Sequence, residues 1–129
     1  MRLLLDTHLL IWASSAPHRL SPAASSIIED SENELIFSVA SIWEVAIKYG
    51  RGRSDFLIEP AAFRHGLKQN GLLELPILAE HTIAVAALPH VHKDPFDRLL
   101  IAQSQTEGII LLTADAWIAQ YGGFVRQIQ

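Results

Sequence analysis

The stretch LLLDTHLLIW, residues 3–12, decides the fold. Three leucines after Arg2 form a short apolar run that stops at Asp6-Thr7, and a second apolar stretch, LLIWA at residues 9–13, resumes with helical spacing. This pattern predicts a buried strand, an acidic strand end and then a helix. Near the other end of the chain IILLTAD, residues 109–115, repeats the motif: an apolar strand runs into Thr113-Ala114-Asp115, and a short helix with Trp117 and Ile118 follows. Fully apolar strands of this kind belong to parallel sheets covered on both faces, because one-sided sheets alternate apolar and polar residues.

Between these two strands the signals alternate. Ser21-Pro22 supplies an N-cap with proline at the first helical position, for a helix through Ile27 and Ile28. The acidic stretch 29–34 reads as a solvated turn, and Leu35 to Phe37 as a second strand. Ser38 opens VASIWEVAIKYG, residues 39–50, in which Val39, Ile42, Trp43, Ala46 and Ile47 recur at helical spacing until Gly50. RGRSDFLI, residues 51–58, is a connection that begins polar and basic, and Pro60 starts a helix that stops near Asn70-Gly71. Leu72 to Ile77 reads as a strand that, with Pro76, ends early or lies at an edge, and Ala79 to Leu88 as a helix. A loop at residues 89–93 leads to Asp94-Pro95, which opens a helix ending at Gly108; Gly122-Gly123 precede a last strand, FVRQI at residues 124–128. The interleaving predicts one α/β domain with a mostly parallel sheet, in which ligands bind beyond the carboxyl ends of the strands.

A chain of 129 residues fits a single core, and apolar runs such as Ile83 to Leu88 stop far short of the roughly 20 residues that span a bilayer. Asp6 and His8 interrupt the apolar opening, and no small-residue cleavage pattern follows, so a cytoplasmic protein is expected rather than a secreted one. The chain has no cysteine, which leaves oxygen and imidazole as the only metal donors. A net charge of −4 argues against a broad basic face for duplex DNA. It leaves a nucleic-acid substrate open, since bound cations would dominate the local potential.

The acidic residues outside the solvated turn carry the chemistry. Asp6 and Asp115 follow two strands that share a sheet edge if parallel; carboxylates gathered there repel each other unless a cation lies between them. Glu44 sits inside an apolar helix, where an unpaired charge is costly. Ser41-x-x-Glu44 also has capping-box spacing, but Ser38 is the better helix start. Asp94 and Asp97 occupy the first turn of a helix, where capping and the helix dipole give both a structural account. Capping explains Asp6 and Asp115 equally well one at a time; the set of four, Asp6, Glu44, Asp97 and Asp115, favours a site for a hard cation such as Mg²⁺ or Mn²⁺.

Taken together, LLLDTHLLIW, SVASIWEVAIKYGRG, HKDPFDRLLIAQS and LLTAD resemble, in order and spacing, the PIN-domain nucleases, in particular the VapC-like toxins with a DPFDR motif. The resemblance covers nearly the whole chain. It implies a three-layer α/β/α fold, hydrolysis of RNA to 5′-phosphate ends, and Mg²⁺, replaceable by Mn²⁺, on Asp6, Glu44, Asp97 and Asp115. It also implies Thr7 and Thr113 as hydrogen-bonding neighbours and a VapB-like antitoxin whose tail lies in the groove; Asp94 matches the motif too but is assigned chiefly to capping.

His92 matches a family position beside the motif and is a candidate substrate contact; as a metal pair, His90-x-His92 has weak spacing. Lys48, Arg51, Arg53, Lys93 and Arg98 flank the acidic segments and suit RNA phosphates, although ordinary surface solvation accounts for each singly. The helix face at Ile42-Trp43 and the Trp12 region are candidate docking or homodimer surfaces. Two other readings compete: a PIN-like domain that binds RNA or protein without cleaving, and a Mg²⁺-binding receiver domain. The receiver lacks its paired acidic residue and its mid-chain aspartate, and a D-x-D phosphatase is disfavoured by His8.

Overall fold

The computed structural model describes every residue except Arg53, Val91 and Gln129. The strands are β1 (Arg2–Leu5), β2 (Glu34–Ser38), β3 (Leu73–Leu75), β4 (Ile110–Thr113) and β5 (Val125–Gln127). They form one sheet in the order β3-β2-β1-β4-β5, and every pairing is parallel. The helices among the described residues are α1 (Thr7–Ser15), α2 (Pro22–Glu29), α3 (Val39–Gly50), α4 (Pro60–Gln69), α5 (Ala79–Ala84), α6 (Pro95–Glu107) and α7 (Ala116–Ala119). None is long and apolar enough to cross a membrane.

Because side chains alternate along a strand, β1 feeds both cores. Leu3 and Leu5 join Phe37 and Leu112 under Leu9 and Leu10 of α1 and Phe63 and Leu67 of α4. Leu4 points the other way, into Ile36, Leu111 and the α6 residues Leu99 to Ala102. The result is the expected three-layer α/β/α sandwich with an all-parallel sheet.

The boundaries shift where tertiary contacts intervene. Glu34 belongs to β2 rather than to the acidic turn, and pairs with Arg2 of β1 at 3.0 Å. The strand read over Leu72 to Ile77 is Leu73–Leu75, ending early and lying at the sheet edge, both as Pro76 suggests. The helix expected to Leu88 passes into a 3₁₀ turn at Val85–Ala87, whose Val85 carbonyl accepts from Arg98. Most consequential is α3. The helix forms where expected, but it buries Ala40, Ser41, Glu44 and Val45, not the apolar stripe read from spacing. Trp43 is left 53% exposed. Lying across the strand ends, α3 contributes Ala40 to one core and Val45 to the other.

Candidate active site

Asp6 and Asp115 are each placed by a local backbone signal at the carboxyl edge of the sheet. Asp6 follows β1 and caps α1, accepting from Leu9 N–H at 2.9 Å through Oδ1. Its Oδ2 accepts from Thr113 Oγ1 at 2.5 Å and from Ala114 N–H at 3.0 Å, which ties the ends of the adjacent strands β1 and β4. Thr113 Oγ1 in turn accepts from the Asp115 N–H at 2.9 Å, and Asp115 caps α7 through Trp117 N–H. Burial raises the Asp6 carboxyl above the usual aspartate range, against the opposing hydrogen bonds from Thr113, Leu9 and Ala114. Thr7, also buried, meets Ser41 of α3 hydroxyl to hydroxyl at 2.9 Å.

A second group lies where α3 faces the start of α6. His8, Glu44, Ile47, Lys48, Arg51, Asp94, Phe96 and Asp97 line one open groove. Asp94 caps α6, its Oδ1 accepting from Phe96 N–H at 2.9 Å and Asp97 N–H at 3.2 Å. Asp97 Oδ2 stands 2.8 Å from His92 Nε2. Burial pushes the Asp97 carboxyl up to about 7; the charges of Asp94 and Glu44 push the same way, and the His92 bond opposes them. Potential ligand atoms of His92, Asp94 and Asp97 lie within 4.8 Å of one another. Among the described residues Asp6, Glu44 and Asp115 do not belong to that close set.

Glu44 supplies the test of whether these residues fit a cation. It is 6% exposed; Oε2 pairs with Lys48 at 3.0 Å, but Oε1 is buried with no hydrogen-bond donor. An orphaned carboxylate oxygen beside two further carboxylates is costly as it stands. A hard divalent cation satisfies it, and oxygen with imidazole is the donor set such ions accept. The residues fit.

The basic residues divide. Lys48 and Arg51 line the groove. Lys93 is exposed and precedes Asp94 of the groove in sequence, and Arg53 lies outside the described residues. Arg98 corrects the expectation of a phosphate contact. Its guanidinium is buried and directed at the loop before α6, donating to Pro89 O at 2.8 Å, Val85 O at 3.1 Å and Tyr121 Oη at 3.1 Å. Tyr121 Oη accepts from His92 N–H at 3.0 Å and donates to Pro89 O, so Arg98 and Tyr121 together hold the loop that presents His92. Tyr121 and Gln103 were not singled out from sequence, and Ser41, read there only for its capping-box spacing, bonds Thr7 instead. Their partners lie far along the chain, and no local pattern marks them.

A parallel α/β/α sandwich with carboxylates gathered at its carboxyl edge is the architecture of a PIN domain. The PIN domain profile matches residues 3–123, and the chain belongs to that family. Within the family it is VapC-like: it is 33% identical over 113 residues to Ribonuclease VapC22 of Mycobacterium tuberculosis, covering 87% of this chain and 85% of that protein. Three solved structures share the fold. They are VapBC2 from Rickettsia felis bound to a DNA fragment from its promoter (TM-score 0.67, 13% identity, 95% of this chain and 94% of that one), a toxin–antitoxin complex from Klebsiella pneumoniae (0.68, 19%, 98% of each), and FitAcB from Neisseria gonorrhoeae (0.61, 16%, 97% and 96%). The family assignment removes the receiver-domain alternative.

Proposed function

We propose that this protein is a divalent-cation-dependent endoribonuclease, the toxin of a VapBC-type toxin–antitoxin pair, acting on RNA in the cytoplasm. One observation carries the reading: the buried Glu44 Oε1 has no donor and shares its groove with Asp94 and Asp97. The likeness to a ribonuclease over most of both chains supports the choice of RNA.

In this reading Glu44 and Asp97, with Asp6 and Asp115 at the neighbouring strand ends, hold Mg²⁺ or Mn²⁺. The cation supplies water activation and offsets charge on the phosphoryl oxygens. Asp97 Oδ2 is oriented by His92 Nε2, and Asp6 by Thr113 and the Ala114 amide. Lys48 and Arg51 bind substrate phosphates along the groove. No residue forms a covalent bond to phosphorus. An antitoxin tail with a basic residue suits the same carboxylates, and two copies pair through exposed apolar residues such as Trp43 and Ile47.

Incubating the protein with mixed cellular RNA, with Mg²⁺, with Mn²⁺ and with excess chelator, tests the reading. New RNA ends bearing 5′-phosphate, absent under chelation, are expected. RNA bound but never cut with either cation would establish instead a non-catalytic binding domain.

A further inference from the structure

A buried chain of side-chain hydrogen bonds that the proposed chemistry does not use joins α5, α6 and the start of α3. Gln103 of α6 is fully buried. Its amide oxygen accepts from Ser38 Oγ at 2.6 Å, and its amide nitrogen donates to Pro76 O and His81 Nδ1, each at 3.3 Å. His81, equally buried, also accepts at Nδ1 from Leu78 N–H at 3.0 Å. Its proton therefore sits on Nε2, which donates to the Glu107 carboxylate at 2.9 Å. The amide has one workable orientation, because turning it over would set its oxygen against the Pro76 carbonyl and the His81 lone pair.

The far end of this chain is the cap of the helix that carries Glu44. Ser38 closes β2 and caps α3, accepting from Ala40 N–H at 3.0 Å. In the same first turn Ser41 meets Thr7 at 2.9 Å, beside Asp6. The start of α3 is thus pinned twice: to α6, which carries Asp97, through Gln103, and to the start of α1, which Asp6 caps, through Thr7. Glu44 lies one turn beyond Ser41 on the same buried face, so these pins set its carboxylate relative to Asp6 and Asp97. A leucine or methionine would fill a core position without desolvating an amide. A fully satisfied buried network instead fixes one arrangement of the elements it joins.

The geometry points to Gln103 as a positioning residue: held by His81 and Pro76, it fixes the Ser38 cap and so sets the Glu44 helix against the Asp97 helix. The inference rests on the proposed cation site. It acts on that site from outside, as partners beyond the direct ligands do.

The test uses the full chain. Mn²⁺ affinity is measured by calorimetry, kcat and KM on an RNA that the parent cleaves, and folding by circular dichroism, for Gln103→Met, Gln103→Glu, Ser38→Ala and the Gln103→Met/Ser38→Ala double variant. Gln103→Met keeps the size and removes the bond; Mn²⁺ binding is expected to weaken and kcat to fall, each roughly ten-fold, the lower end for such partners, with KM for RNA unchanged. A buried glutamic acid takes up a proton and reproduces the acceptor for Ser38 and one of the amide's two donors, so Gln103→Glu should recover part of the Mn²⁺ affinity that Gln103→Met loses. The double variant should be no weaker than the worse single. Folded Gln103→Met with parental Mn²⁺ affinity overturns the inference, as does a loss confined to thermal stability. Should Gln103→Met not fold, Ser38→Ala decides on the same affinity and kcat readouts. A parent that neither binds Mn²⁺ nor cleaves RNA fails the underlying reading instead, before any variant is compared.

Discussion

Asp97 Oδ2 and His92 Nε2 stand 2.8 Å apart at the start of α6, and burial holds that Asp97 carboxyl at about 7, with Asp94 and Glu44 adding to the rise. A half-buried acid held so far from its ordinary value of 3.8 should make stability, and cation binding in the proposed site, depend on pH.

The sign follows from proton counting. Between the unfolded value near 3.8 and the folded value near 7, the native protein holds more protons at Asp97 than the unfolded chain. Its contribution to stability is therefore fully present at low pH, is lost as pH rises through that window, and is flat above it. Thermal melts of cation-free protein from pH 5 to 8 should show the parent losing stability with rising pH relative to Asp97→Asn. Mn²⁺ needs the ionised carboxylate, so its affinity should rise over the same range. Parallel melting curves for the two proteins would refute the assignment.

Asp94 and Asp97 separate by role. Asparagine caps a helix about as well as aspartate, so Asp94→Asn should cost little, whereas Asp94→Ala should lose about 1 kcal/mol of stability with the cap. Removing the Asp94 charge also removes one cause of the Asp97 rise, so Asp94→Asn should shift the pH dependence of Mn²⁺ binding downward. Asp97→Asn should keep the fold and lose most cleavage. Urea melts beside an RNA cleavage assay decide it; abolished cleavage in Asp94→Asn with Asp97→Asn still active would reverse the two roles.

Thr113 links the two strand ends, donating to Asp6 and accepting from the Asp115 amide. Thr113→Val keeps the shape and leaves Asp6 and the Asp115 amide each short of a partner, at a cost on the order of 1–3 kcal/mol. Thr113→Ser should restore most of that stability together with activity. Equal melting temperatures for the valine and serine variants would contradict the link.

Much of this arrangement is legible in the sequence because its signals are local. Apolar runs ending at Asp6 and Asp115, and the proline-marked starts at Ser21-Pro22 and Asp94-Pro95, each act within a few residues, and the elements form there. The illegible part is non-local. Spacing shows that α3 is a helix but not which face turns inward; the polar strand edge draws Ser41 and Glu44 inside and leaves Trp43 against Phe96 at the surface. Gln103 finds Ser38 across 65 residues. Arg98 sits next to Asp97 in the motif, yet its buried guanidinium reaches the loop carbonyls instead of the groove.

Arg98 consequently carries a stability prediction in place of a substrate one. Lysine cannot supply the planar set of donors that reaches Pro89, Val85 and Tyr121 together, so Arg98→Lys should lose roughly 2–3 kcal/mol, the scale of hydrogen bonds to a charged group. Denaturant melts check it. A raised KM for RNA at unchanged stability would show that the side chain serves the substrate after all.

In the proposed function the unpartnered Glu44 oxygen marks a cation site on which RNA cleavage depends. The most direct measurement is the rate of RNA cleavage as a function of Mn²⁺ concentration for the parent and for Glu44→Gln, both shown to be folded. Expected are no cleavage without the cation, saturable activation in the parent, and in Glu44→Gln a rate lowered at least about a hundred-fold at the parent's saturating Mn²⁺, in line with losing a partner at a metal site. Cleavage by the parent in excess chelator, or parental activation by Mn²⁺ in Glu44→Gln, would contradict it.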